Sequence, residues 1–130
     1  MSALTVAAVL ARIAGGGPST GVRAHDGDPD VPTYPYCVVY ADASVGVVER
    51  ESDSLSVRVL SWQTTVVGVS AAQCRAAVDR VVAALEGWRP SSSEPSCGRV
   101  QHASSQPVRP DETVSDRTLF IATDQWRVAR

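Results

Sequence analysis

Gly68-Val69-Ser70-Ala71-Ala72 stands at a strand-to-helix turn, where a hydrolase of this shape would carry its serine nucleophile. That elbow needs a second glycine, and Ala72 holds its place. The only histidines, His25 and His102, fall in a loop and in a weakly patterned polar strand, so no general base is positioned for the serine. Capping the helix explains Ser70 without any further role, and Gln73 three residues on completes a capping box. Gly15-Gly16-Gly17-Pro18-Ser19-Thr20-Gly21 has the composition of a phosphate cradle. It follows a helix instead of a strand, however, and the chain has no lysine to reach a phosphate. His25-Asp26-Gly27-Asp28-Pro29-Asp30 begins like a calcium loop, but the sixth place is Val31 and the twelfth is Cys37. A solvated acidic loop is the expected reading there. No catalytic, cofactor-binding or metal-ligating residue is assigned.

Cys37, Cys74 and Cys97 are odd in number, widely spaced and without a Cys-x-x-Cys pair. This argues against a disulfide framework and suits a reducing cytoplasm. Cys37 within an apolar strand and Cys74 on an apolar helix face are expected to be small core residues. Trp62, Trp88 and Trp126 are expected as core or interface anchors.

The 130 residues suit one domain, 1–130, able to bury a core of its own. At 44% hydrophobic and 20% charged, the composition is that of a globular protein. The net charge of −2 offers no footprint for a phosphate backbone, so no sequence-specific nucleic acid is expected as a partner. No apolar run is long enough to span a membrane. All 12 basic residues are arginine. Arg12 interrupts the apolar N-terminus and no basic leader precedes it, so this segment reads as a helix and not a signal peptide.

The elements follow from periodicity. Ser2 caps a helix over residues 3–14, with Val6, Val9, Leu10 and Ile13 on one face. Glycines and Pro18 stop it, and residues 15–33 read as a loop. Residues 34–41 alternate as a strand with apolar residues on both sides. Residues 55–67 form the next, with a phase change near Leu60-Ser61 that a bulge or burial on both faces would explain. Ala71, Cys74, Val78, Val81, Leu85 and Trp88 then make one helical stripe, with Arg75 and Asp79 facing outward. Gly87 and Pro90 close that helix and residues 91–93 bridge to a polar edge strand over 99–108; a final strand covers 118–128. The expected fold is α+β, a small, mostly antiparallel sheet of about four strands. Two helices pack on one face, in the order α-β-β-α-β-β.

Residues 42–53 form a polar excursion, long for a hairpin turn, carrying Val45, Val47, Glu49, Arg50, Glu51 and Asp53. Its length and mixed charge make these residues the candidate partner-binding set.

Several stretches together resemble the tail terminators, or tail completion proteins, of siphophages infecting actinobacteria. They are Tyr34-Pro-Tyr-Cys-Val-Val-Tyr40, Ser61-Trp62-Gln63, Val67-Gly68-Val69-Ser70, the helix to Leu85 and Thr123-Asp-Gln-Trp-Arg-Val128. The resemblance covers nearly the whole chain. It implies a hexameric ring on the head-proximal end of the tail tube, which stops tube-subunit addition and meets the head–tail connector protein. It also implies a virion location after assembly in the host cytoplasm, no enzyme activity and no cofactor. The loop between the first two strands, here 42–53, is the implied tube contact. Ring closure needs a heterologous interface, for which the polar strand and the first helix are candidate edges. Two rivals stand beside this reading: another neck protein, such as a head-completion or stopper subunit, and a small cytoplasmic enzyme or ligand-binding domain.

Overall fold

The computed structural model describes residues 6–16, 22–27, 33–41, 47–48, 57–89, 98–111 and 118–129. The chain opens with α1 (Val6–Ala11), which tightens no further but widens into a π-helical turn over Arg12–Gly16. Val9 and Ile13 enter the core and Leu10 packs against it, as the spacing predicts. The expected cap at Ser2 lies outside the described residues. Arg12 ties this segment to the second helix: its Nε donates to the Ala84 carbonyl at 2.7 Å and its guanidinium lies 5.6 Å from the Trp88 ring centre.

The sheet is mixed and larger than the four strands expected. Among the described residues seven strands are present: β1 (Arg23–Asp26), β2 (Tyr36–Ala41), β3 (Val47–Val48), β4 (Val57–Gly68), β5 (Gln101–Ser105), β6 (Arg109–Asp111) and β7 (Leu119–Ala129). The order is β1-β2-β4-β7-β5, with β3 beside β4 and β6 beside β7. β1 is a correction, because it falls within the segment read as a loop and pairs parallel to β2. β6 is another: Pro110 sits within it, opposite Phe120, on a short outer strand where a missing N–H costs little.

β4 and β7 form the spine. Their register runs unbroken from Val59 opposite Ala129 to Gly68 opposite Phe120, so β4 has no bulge against β7. The mixed phase of its sequence reflects burial on both faces, seen at the neighbours Val66 and Val67.

One face carries the core. Cys37, Val39, Trp62, Val66, Ala122, Trp126 and Val128 meet Val9 and Ile13 of the first helical segment and α2 (Ala71–Leu85). The α2 start follows the capping logic: Ser70 Oγ accepts from the Gln73 amide at 3.1 Å. Gln73 Oε1 reaches one residue further back than the usual box, accepting from the Val69 amide at 2.8 Å. Glu86 caps the other end, and Gly87 follows at a φ of 79° that only glycine adopts without strain. The buried stripe is Cys74, Ala77, Val81, Ala84 and Leu85, centred on two alanines, while Val78 is pushed to its flank. Arg75 and Asp79 face outward as expected.

Candidate functional site

Three places on this scaffold carry polar or exposed groups. The first is the excursion after β2. Val47, with Val48, forms β3 and pairs with Arg58 and Val57, so part of the expected loop is strand. Val45, Glu49, Arg50, Glu51 and Asp53 lie outside the described residues. From Ala41 to Val47 the chain advances six residues, while the partner positions move four along β4, from Trp62 to Arg58. Both described segments pair antiparallel to β4. β3 lies against the far end of β4, past Val59, where the described pairing with β7 begins. The described part of the excursion, β3, is thus an arm paired antiparallel to β4.

The second place is the sheet face opposite the helices. Thr65 and Thr123 hydroxyls lie 3.3 Å apart, Gln125 Nε2 donates to Gln63 Oε1 at 2.8 Å, and Arg127 Nε donates to Gln101 Oε1 at 3.3 Å. These cross-strand pairs make a polar ladder across the spine and onto β5. Beside it, at the end of β2, an open cavity of about 380 Å³ is lined by Tyr40, Ser61, Trp62 and both glutamines. Tyr40 is 44% exposed there.

The third place is a polar cluster inside the core. Asp124 is fully buried, and its Oδ1 lies 2.7 Å from His102 Nε2. The His102 ring stacks on Trp126 with centres 4.6 Å apart. Trp126 Nε1 donates to Thr64 Oγ1 at 2.9 Å. Among the described residues, Asp124 Oδ2, Trp62 Nε1 and His25 Nε2 are buried without a hydrogen-bond partner. A histidine–carboxylate pair calls for a nucleophile, and the candidates on this face are thiols. Burial pushes Cys37 up to about 12 and Cys74 up to about 11, with the Asp124 charge adding to both and Arg75 partly offsetting it at Cys74. Both are neutral thiols at pH 7, unsuited to attack. Cys74 Sγ instead points to the Val66 carbonyl at 3.6 Å. They are core residues, as expected; Cys97 lies outside the described residues. Trp62 and Trp126 are core, and Trp88 is half-buried.

Sequence reasoning missed the Asp124 cluster. The signal was Ala122, Asp124 and Trp126 at spacing two, which puts an acid on the core face of a strand. His25 and Asp26, read as loop, are strand residues, and the His25 ring meets Tyr36 edge-on at 5.9 Å.

No known family's sequence profile matches the chain, and no curated protein matches it. A solved structure is similar in fold: a chain of the "Virion of native gene transfer agent (GTA) particle", at a TM-score of 0.57 and 17% identity. The match covers 82% of this chain and 76% of the other.

Proposed function

We propose that this chain is a structural virion protein that acts by binding: a tail terminator. Copies close into a ring, a hexamer, on the head-proximal end of the tail tube. The ring stops addition of tube subunits and presents a surface to the head–tail connector. The observation that carries this reading is the likeness in fold to a chain of the gene transfer agent virion over most of both chains. The excursion after β2 agrees with it, since its described part, β3, pairs with β4 beyond the point where the β4–β7 ladder begins. Val45, Val47, Glu49, Arg50, Glu51 and Asp53 are its proposed tube-contacting residues. The buried, neutral thiols fit a protein that holds a position and performs no nucleophilic chemistry.

The test is tube polymerisation followed by electron microscopy. Added protein should halt tube growth at one end and appear there as a ring; particles assembled without it should carry overlong tubes. Normal tube lengths in its absence, or binding to the connector alone, would overturn the terminator role.

A further inference from the structure

We infer that neighbouring copies join edge to edge, β1 of one against β5 of the next, so that their sheets continue across each interface. This rests on the ring reading above and specifies its interface. Among the described residues the sheet is open, and its ends are β1 and β5. β1 is parallel to β2, while the steps from β2 to β4, β4 to β7 and β7 to β5 are antiparallel. The two edge strands therefore run in opposite directions. A copy that keeps the same strand direction and the same helix side, as rotation about a ring axis requires, presents its β5 antiparallel to the first copy's β1.

The edge residues suit a specific ladder. β1 reads Arg-Ala-His-Asp and β5 reads Gln-His-Ala-Ser-Ser, with neither Pro nor Lys to block pairing. Both strands are short, and β5 shifts register between His102 and Ser104. Such an edge is a poor template for indiscriminate association, so charges at the strand ends must fix the alignment. In the antiparallel arrangement the Asp26 end of β1 meets the start of β5, where Arg99 is exposed, with its Nη1 donating to the Gly87 carbonyl at 2.9 Å, and Arg127 is exposed beside Gln101. At the other end, Arg23 meets the Ser105 region, where Arg75 and Asp79 of α2 line a shared groove and roughly balance each other. The decisive complementary pair is thus Asp26 with Arg99 of the next copy.

A twofold pairing of β1 with β1 would set Asp26 against Arg23 instead, and would close at a dimer. Charge swaps read by native mass spectrometry and sedimentation separate the two. D26R and R99D should each weaken association at least about tenfold, and the double variant D26R/R99D should restore the ring. Both residues are exposed, so circular dichroism melting should match the wild type for D26R and fall only slightly for R99D, which loses the Nη1 bond to the Gly87 carbonyl. A ring that persists through both single swaps overturns the edge assignment but leaves the ring reading intact. Rescue of D26R by R23D in place of R99D also overturns it, in favour of the twofold pairing. A wild-type chain that stays monomeric at high concentration overturns both.

Discussion

His102 Nε2 sits 2.7 Å from Asp124 Oδ1, joining an edge strand to a carboxylate that is 1% exposed. The other side chains of β5 are exposed, so this contact and the stack on Trp126 are what fasten the strand's middle to the core. Asp124 has no second partner among the described residues to take over.

His102→Ala should therefore lower unfolding free energy by about 2–3 kcal/mol in chemical denaturation, since it strands a buried carboxylate. The double variant H102L/D124L should recover part of that loss, because no charge is then left buried. Equal stability of the single and double variants would show that the carboxylate is not the source of the cost.

Alkaline pH should weaken the fold through its thiols. Cys37 and Cys74 are raised from the ordinary 9.0 to about 12 and about 11, so the folded chain holds those protons more tightly than the unfolded one. Their contribution is complete below about pH 9 and is lost as pH climbs toward 11 and 12. Denaturation midpoints at pH 8 and pH 10.5 should differ more for the wild type than for C37A/C74A. The same thiols should react with a thiol reagent at pH 7 only after unfolding.

Gly68 closes the strand where α2 begins. A Cβ there would stand 3.0 Å from the Cys74 amide nitrogen and 3.2 Å from its Cα, and backbone cannot swing aside. Gly68→Ala should cost about 1–3 kcal/mol, visible as a lower denaturation midpoint with an unchanged slope.

Deleting residues 45–51 should leave the melting transition of the sheet and α2 in place while weakening binding to tail tubes in a pelleting assay. The deletion removes β3, which pairs with β4 at Val57 and Arg58, outside the β4–β7 ladder. Undiminished tube binding would remove the arm from the contact.

α2 was legible because local signals agreed: the Ser70 cap, the glycine stop and a stripe at helical spacing. Only its centre shifted, onto Ala77 and Ala84, because small residues let the helix lie close to the sheet and hydrophobicity alone does not rank them first. The spine strands were legible from their apolar content. β1 was not, since four residues reading Arg-Ala-His-Asp become a strand only when β2 supplies a parallel partner, a contact made by tertiary structure alone. β6 hid behind Pro110 for a similar reason. The polar cluster escaped because Asp124 reads as surface until Trp126 and Ala122 are placed on the same face. Of the candidate partner-binding residues, Val47 alone lies in the described part, paired with Arg58.

The placement of β7 at the middle of the sheet has a consequence for biosynthesis. A nascent chain that has reached Gln106 already contains β2, β4 and α2, yet β4 and β5 still lack the strand that lies between them. Until residues 119–129 leave the ribosome, the indole, carboxylate and valine that complete the interior are absent and the hydrophobic side of β4 stays open. Acquisition of the native state is therefore a late, all-or-none event, and premature termination before Leu119 yields a product that proteases or chaperones must handle.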